Sequence, residues 1–340
     1  MIHTTLQRVQ DTGGDHLTED ALWAGLFEHH AVLALADGAP QRLRPIVSMQ
    51  PLIDTYSSRY GQGVTPSGVA SRLLCSTVAE LAPTAHTPAE MVTIANEQLA
   101  AELRTIYGDI STAALLEAEP HLTVLSEDER YIRLVLPAAT YTVARIDWEK
   151  QQLEVAHGAD SALIAFQHDD TAVRITPDQM AQHDDKAKSL YLSDPDAKAE
   201  HPFFQALGDS RAQEINRLNG VYHNFVGPDG QTDSALGVSV INGLPNVADY
   251  MFQTCVPLDQ YKAVLLVSDG MFLPSPAQEN GLEPNTTSTT QLQFMGELIL
   301  RQGLKGYVEH LRREETRVMN TPGALAWHDD ASGLFFTWET

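Results

Sequence analysis

The chain has 340 residues, 43% of them hydrophobic, and a formal net charge of −23 from 45 acidic and 22 basic side chains. A chain of this length forms one large domain or two, and its apolar content is enough for a sizeable core. A surface this acidic repels phosphate backbones and anionic lipids, so we expect neither nucleic acid nor a membrane as a partner. Such a surface does suit the binding of cations.

The two cysteines, Cys75 and Cys255, lie far apart in the sequence and indicate no disulfide framework. The first residues show no signal-peptide core, and no apolar run is long enough to span a bilayer. We therefore expect a cytoplasmic protein.

Three strands are predicted near the start of the chain, over residues 3–9, 22–28 and 32–37. The third is an apolar run that ends on Asp37 and turns at Gly38. A buried strand of this kind can place one carboxylate at its tip as a metal ligand. An ordinary Asp-Gly turn has the same pattern, so the motif alone does not decide between them.

Two helices follow, the first beginning near Thr65 and the second at the capping box of Thr87 and Glu90. Apolar residues recur at helical spacing from Met91 to Ile106. Short apolar runs with turns between them then predict an antiparallel meander. Its strands are expected over residues 139–147, 153–157, 162–166 and 172–175.

The second half of the chain alternates polar and apolar stretches. We predict, in order, a helix from Thr176 to about residue 187, a polar surface excursion over residues 190–235 with a short helix near 211–218, a buried strand at 263–267, helices near 290–301 and 304–318, and closing strands around residues 327–338. Strands at both ends with helices between them predict a single α+β domain over residues 1–340. Its expected architecture is an α-β-β-α sandwich of two antiparallel sheets flanked by helices.

Acidic residues recur where predicted strands begin or end, at Glu19-Asp20, Asp37, Asp160, Asp269 and Asp329-Asp330. Carboxylates without accompanying cysteines favour a hard cation such as Mg²⁺ or Mn²⁺. Two such ions roughly 3.5–4 Å apart can share a carboxylate, activate a water molecule and offset charge on a phosphoryl group. Spacing alone does not establish such a site, because these acids are scattered from residue 19 to residue 330.

The order and flanks of the acidic motifs are more specific than their spacing. In sequence they are Thr18-Glu19-Asp20-Ala21, Ala36-Asp37-Gly38, His157-Gly158-Ala159-Asp160-Ser161, Val267-Ser268-Asp269-Gly270-Met271 and His328-Asp329-Asp330-Ala331-Ser332. In this order the chain resembles, over nearly its whole length, the bacterial form of the metal-dependent protein serine/threonine phosphatases (type 2C, or PPM). The resemblance implies a binuclear Mg²⁺ or Mn²⁺ centre, in which a metal-bridging water hydrolyses phosphoserine or phosphothreonine on proteins.

The resemblance also implies a role for each acidic residue. Asp37 would bridge both ions, Asp269 and Asp329 would bind one ion with it, and Glu19 and the Gly38 carbonyl would bind the other. Asp20 and Asp330 would support these ligands, and Asp160 with Asp269 would match the third ion of bacterial members. The substrate-facing flap of the family falls at residues 190–235.

The chain departs from the family where the substrate phosphate is bound. The arginine usually found four residues before the position of Glu19 is replaced by Asp15, and Arg8 is one candidate substitute that nothing else in the sequence marks. Ala39 follows the Asp-Gly motif in place of glycine, and Ala162 stands where an arginine usually follows Gly-Asp-Ser. Two alternatives therefore stay open: a non-catalytic or weakly active module that binds a phosphorylated or regulatory partner, and a phosphatase of small phosphorylated metabolites.

Other motifs have plainer interpretations. Of three His-Asp-Asp triplets, those beginning at His168 and His183 are predicted to be solvated surface, and only the one at His328 has the family's position. Ser161 and Ser268 lie in no Gly-x-Ser-x-Gly elbow, so we predict that they form hydrogen bonds at strand ends and are not nucleophiles.

Overall fold

The computed structural model describes residues 3–13, 17–39, 46–60, 64–193, 222–227, 229–233, 235–274, 289–319 and 328–339. Within these ranges two five-stranded antiparallel sheets stack face to face, and helices pack on both outer faces. The predicted α+β sandwich is confirmed. No helix within these ranges has the length and apolar character needed to cross a bilayer.

The chain passes from one sheet to the other several times. They are β1 (His3–Asp11), β2 (Ala21–Leu26), β3 (His30–Asp37), β4 (Thr140–Asp147), β5 (Gln152–Gly158), β6 (Ala162–Gln167), β7 (Ala172–Arg174), β8 (Tyr222–His223), β9 (Gly237–Val238), β10 (Phe252–Pro257), β11 (Tyr261–Val267) and β12 (Ala331–Glu339). One sheet has the order β1-β12-β11-β6-β7, and the other has the order β10-β5-β4-β3-β2. Strands β8 and β9 form a separate short parallel pair.

The helices are α1 (Gln50–Tyr60), α2 (Pro66–Leu81), α3 (Pro88–Tyr107), α4 (Thr112–Ala118), α5 (Ile132–Val135), α6 (Ala181–Ser193), α7 (Val247–Tyr250) and α8 (Thr289–Met319). The predicted starts of α2 and α3 are confirmed. The Thr65 hydroxyl accepts a hydrogen bond from the Gly68 amide at 3.0 Å, and Thr87 and Glu90 form a reciprocal capping box. Gly303, at φ 75°, divides α8 into two segments, which match the two helices predicted there.

The central strands are buried on both faces, which explains why they are continuous apolar runs. In β11, Val264 and Leu266 pack between the sheets, whereas Ala263, Leu265 and Val267 pack against α8. Strand β3 divides its side chains in the same way between the other sheet and the helices α2 and α3. A strand that is buried on both faces has no polar face, so its sequence loses the alternation typical of a half-buried strand.

The structure differs from the sequence-based expectation, or goes beyond it, at several elements. Strand β10 was not predicted, because this edge strand alternates between half-buried and exposed residues and has no apolar run. Helix α6 begins at Ala181, so the predicted start at Thr176 is wrong. The side chain of Asp178 accepts hydrogen bonds from the amides of Met180 and Ala181, both at 3.0 Å, and thereby delays the first turn. The short helix predicted near residues 211–218 lies outside the described residues. The predicted surface excursion over residues 190–235 is wrong where the structure describes Tyr222 and Phe225, which are buried in the core.

A buried amide on α3 holds the segment of residues 242–244. The side-chain oxygen of Asn96 accepts hydrogen bonds from the backbone amides of Asn242 at 3.1 Å and Gly243 at 2.9 Å. Its side-chain nitrogen donates to the Leu244 carbonyl at 2.8 Å. One buried side chain therefore satisfies three backbone groups that would otherwise lack partners.

The residues just before this segment pack against the turn that follows β5. Val238 and Val240 share a small apolar cluster with Ala159. A Cβ added at Gly158 would lie 2.4 Å from the Ser239 carbonyl oxygen, so the two backbones are in direct contact. Helix α3 thus supports, through this segment, the turn that presents Asp160.

We predict that Asn96→Leu lowers the free energy of unfolding by about 3 kcal/mol, because each buried backbone group left without a partner costs roughly 1–3 kcal/mol. Urea denaturation measures the change. Glu97→Leu, at the exposed neighbouring position of the same helix, is the matched control and should stay within about 0.5 kcal/mol of the wild type. Equal losses in the two variants would contradict this account of Asn96.

Candidate metal centre

Strand register brings six aspartates to one end of the sandwich. Asp20 precedes β2, Asp37 ends β3, Asp160 lies between β5 and β6, Asp269 follows β11, and Asp329 and Asp330 precede β12. In an antiparallel pair one strand begins where its partner ends, so these positions meet at the same edge. Ala21 pairs with Ala36 in one sheet, and Val267 pairs with both Ala162 and Gly333 in the other.

Side-chain hydrogen bonds join the sheets at this edge. The side chain of Asp330 accepts one from the backbone amide of Glu19 at 2.9 Å. The hydroxyls of Thr140, at the start of β4, and Ser161, at the start of β6, lie 2.7 Å apart. The acids of the two sheets therefore lie close to one another, and hydrogen bonds connect the two strand ends that carry them.

The solvent exposure of the aspartates increases from one side of the cluster to the other. Asp20 and Asp330 are buried, with 2% and 8% of their surface exposed. Asp37, Asp160 and Asp329 are half-buried. Asp269 is exposed, so the site opens to solvent on the side of β11.

Burial and mutual repulsion raise the pKa values of three of these carboxyls. Burial raises the pKa of Asp20 to about 7, and the charges of Asp330 and Asp329 add to the rise. The pKa of Asp37 is raised well above its ordinary value by burial and then by the charges of Asp20, Asp269 and Asp160. These effects require the carboxyls to lie within reach of one another's charge.

The pKa of Asp269 is also raised well above its ordinary value. Loss of solvent on burial raises this pKa, and the charges of Asp329 and Asp160 raise it further. Because Asp269 is exposed by its own accessible surface, we assign more of this rise to its charged neighbours than to loss of solvent.

The donor atoms of the cluster are of the kind that a hard divalent cation prefers. Neither side-chain oxygen of Asp20 accepts a hydrogen bond from a described residue, although the Ser332 hydroxyl and the Asp37 carboxyl lie close enough to favour its charged form. Within the described ranges no lysine, arginine or histidine forms an ion pair with Asp20, Asp37 or Asp269. No three acidic, histidine or cysteine side chains described here already converge as ligands of one ion. The donors are nevertheless all oxygens, the set that Mg²⁺ and Mn²⁺ prefer.

The glycines of both Asp-Gly motifs are needed for close approach. A Cβ at Gly38 would lie 2.5 Å from the Glu19 Cβ and 2.9 Å from the Glu19 carbonyl oxygen. A Cβ at Gly270 would lie 2.0 Å from the Asp330 carbonyl oxygen. Any larger residue would therefore push apart the backbones that present the acids.

The first acidic motif differs in detail from what the resemblance implies. Asp20, expected to support the ligands, is the enclosed residue whose charge interacts with Asp37 and Asp269. Glu19, expected as a ligand, is half-buried beside Gly38, and its carbonyl accepts a hydrogen bond from the Ser71 hydroxyl. The ligand roles of Glu19 and the Gly38 carbonyl stay predictions.

The phosphate-binding arginine remains unassigned. Arg8 is exposed on β1, opposite Leu334, and forms no ion pair with a described residue. Asp15, at the family's arginine position, lies outside the described residues. Arg8 therefore stays a prediction that no contact in the structure supports.

An arginine that the sequence did not single out lies beside Asp160. The Arg174 guanidinium donates to the backbone carbonyls of Asp160 at 3.1 Å and Ser161 at 3.4 Å. It thus supplies a positive charge at the turn before Ala162, the position at which the resemblance implies an arginine. The available signal was the position of Arg174 at the end of a short apolar strand, which does not reveal its partner.

Ala159, in the turn between Gly158 and Asp160, is held from both sides. Ala159 has a left-handed backbone, with φ 70°, which is costly for any residue with a side chain. The side-chain oxygen of Gln179 accepts a hydrogen bond from the backbone amide of Ala159 at 2.8 Å. The backbone amide of Gln179 donates one to the Ala159 carbonyl at 2.9 Å. This pair of bonds stabilises the turn that places Asp160.

The plainer motifs mostly match their interpretation. The side chains of Ser161 and Ser268 are fully buried, and the Ser268 hydroxyl accepts a hydrogen bond from the Ser332 amide at 2.9 Å, as expected at strand ends. The triplet at His168 is exposed in the turn after β6. The prediction of solvated surface is wrong for His183, which is buried on α6.

The chain matches no protein-family model and no curated protein. Among solved structures it is similar to the serine/threonine phosphatase PstP/Ppp of Mycobacterium tuberculosis, at 16% identity over 100% of each chain with a TM-score of 0.49. The catalytic domain of PstP with two manganese ions gives 15% identity over 100% of each chain and a TM-score of 0.49. RsbX with magnesium gives 9% identity over 99% of this chain and 96% of the other, with a TM-score of 0.46. At these identities and scores the similarities support no functional assignment, which depends on the site itself.

The raised pKa of Asp20 predicts a pH-dependent stability in the absence of metal. The folded value of about 7 exceeds the ordinary value of 3.8, so the folded state binds the extra proton in this window. The associated stability is present at low pH and is lost as the pH rises toward 7. With EDTA present, Asp20→Asn should therefore gain thermal stability relative to the wild type as the pH rises from about 4 to about 7.

Thermal unfolding followed by circular dichroism at a series of pH values measures this difference. Asp169→Asn is the control, because a hydrogen bond from the Thr171 amide lowers the pKa of this exposed carboxyl and reverses the expected sign. A constant difference between Asp20→Asn and the wild type across this range would contradict the prediction.

Proposed function

We propose that this protein is a phosphomonoester hydrolase dependent on divalent metal ions, with the aspartate cluster as its centre. The single observation that supports this most is the meeting of Asp20, Asp37 and Asp269 without an ion-pair partner among the described residues. Like charges at this density are stable only when protons or cations offset them. The solvent-exposed side at Asp269 leaves a route by which a substrate can approach.

In this proposal the ligands are the side chains of Asp37, Asp269, Asp329 and Glu19 and the Gly38 carbonyl, holding two Mg²⁺ or Mn²⁺ ions, with Asp160 available to a third. When bound, such ions lower the pKa of a water molecule and offset the charge that develops on a phosphoryl group. The chain's own residues hold these ligands in place. The bond between Asp330 and the Glu19 amide and the contact between Thr140 and Ser161 join the two sheets beneath them.

We propose water as the nucleophile and no phosphoenzyme. The Ser161 hydroxyl already bonds that of Thr140, and the Ser268 hydroxyl bonds the Ser332 amide. Both serines are fully buried, so neither is placed to attack a substrate that arrives from solvent.

The order of the acidic motifs supports phosphoserine and phosphothreonine on proteins as the substrates that we propose. The cytoplasmic setting that we propose depends on the sequence argument from the cysteines and the first residues. A binding module of low activity is the second candidate, and the absence of an assigned phosphate-binding arginine favours it. A phosphatase of small metabolites is the remaining alternative. The net charge of −23 argues against nucleic acid and membranes as binding partners.

We predict that the wild-type protein hydrolyses p-nitrophenyl phosphate when Mn²⁺ is added and that Asp37→Asn and Asp329→Asn abolish this turnover. Loss of a direct ligand should exceed the roughly 10- to 100-fold effect typical of residues that only support ligands. Asp169→Asn is the matched control, since it changes the same position of a His-Asp-Asp triplet in an exposed turn. If the wild type with Mn²⁺ is no faster than Asp37→Asn, the catalytic proposal fails and the binding module takes its place.

A substrate panel separates the two catalytic alternatives. We expect higher kcat/KM values for phosphoserine and phosphothreonine peptides than for small sugar or nucleotide phosphates. The opposite ranking, with the Asp37→Asn variant as background, would reject a protein substrate in favour of a metabolite.

A further inference from the structure

A buried ion-pair network on α8 lies next to the segment that enters β12. Glu315, 3% exposed, accepts hydrogen bonds from Arg312 at 2.8 and 3.0 Å. A carboxylate oxygen of Glu315 also lies 2.7 Å from the His328 ring nitrogen Nδ1. A buried carboxylate of this kind is stable only with such partners.

Arg312 uses the rest of its guanidinium on two other segments of the chain. Its Nη2 donates to the backbone carbonyls of Asp329 at 2.7 Å and Asp11 at 3.0 Å. Its Nε donates to the Asp11 carboxylate at 2.8 Å, and the same oxygen accepts a bond from the Gly13 amide at 2.9 Å. One side chain therefore fixes α8, the end of β1 and the start of β12 relative to one another.

The hydrogen bonds continue from Arg312 into the aspartate cluster. The Asp329 carboxylate accepts a bond from the Asp330 amide at 2.9 Å, and the Asp330 carboxylate accepts one from the Glu19 amide at 2.9 Å. Glu19 in turn lies against Gly38. The path thus leads from a helix on the outer face of one sheet to the metal-ligand candidates of the other.

We propose that the network of Arg312, Glu315 and His328 is a positioning device for the metal centre, setting the backbone of Asp329 and hence the affinity for divalent cations. This inference rests on the proposed function, because it presumes that the cluster binds metal. Arg312, Glu315 and His328 are positioning residues and contact no substrate. A planar guanidinium fits the role, since it can bond several acceptors in a fixed geometry.

The same helix offers a matched control. Arg317 pairs with Glu314 at 2.8 Å, with the same three-residue spacing as Arg312 and Glu315, but on the exposed side of α8. The side chains of Arg317 and Glu314 are 63% and 31% exposed, against 17% and 4% for Arg312 and Glu315. The comparison therefore separates loss of a helix ion pair from loss of the contact with Asp329.

The test is calorimetric titration of Mn²⁺ into the metal-stripped full chain. We expect Arg312→Met to raise the Kd about tenfold, the size seen when partners that orient metal ligands are removed. Glu315→Gln, which keeps the shape but removes the charge, should raise it by a smaller factor. Arg317→Met should stay within about twofold of the wild type.

Thermal unfolding in EDTA shows whether a variant is folded, and a merely structural tie would lower its midpoint without changing the Mn²⁺ Kd. Wild-type values of the Kd in folded Arg312→Met and Glu315→Gln would overturn the inference. If Arg312→Met does not fold, Glu315→Gln decides alone. A wild-type protein that binds no Mn²⁺ rejects the proposed function, whereas a binding wild type with unchanged variants rejects only the positioning role.

Discussion

Repulsion among carboxylates held at one end of a two-sheet sandwich is the constraint on which the rest of the structure depends. The central strands are buried on both faces and lock their register through apolar packing, and that register places the aspartates together. A slip of one residue would turn every side chain of a strand to the opposite face. The energy of the core therefore keeps together groups that would separate if the chain were free.

Two arginines beside the cluster support it through its backbone. Arg174 donates to the carbonyls of Asp160 and Ser161, and Arg312 donates to the carbonyl of Asp329. Both place positive charge behind turns that present acids. In this arrangement the guanidinium groups position the turns, while carboxylate oxygens remain the ligand atoms that a cation would need.

Much of the fold could be predicted because its signals are local. Capping at Thr87, the break at Gly303 and the apolar run before Asp37 each specify an element without reference to the rest of the chain. The edge strand β10 was missed because its residues are only half-buried, and an edge strand needs no apolar run.

The candidate site was predictable where order along the chain was the signal and unpredictable where tertiary contact decides. The acidic motifs could be recognised in sequence. The burial of Asp20 beside a half-buried Glu19 depends on how β2 packs against β12, and the partners of Arg174 and Arg312 depend on turns far from them in the chain.

Gly38 and Gly270 limit how the sequence of such a chain can change in evolution. The Glu19 and Asp330 segments that face these glycines leave room only for a hydrogen atom, so a mutation to any other residue would separate the chain segments that carry the acids and would be selected against.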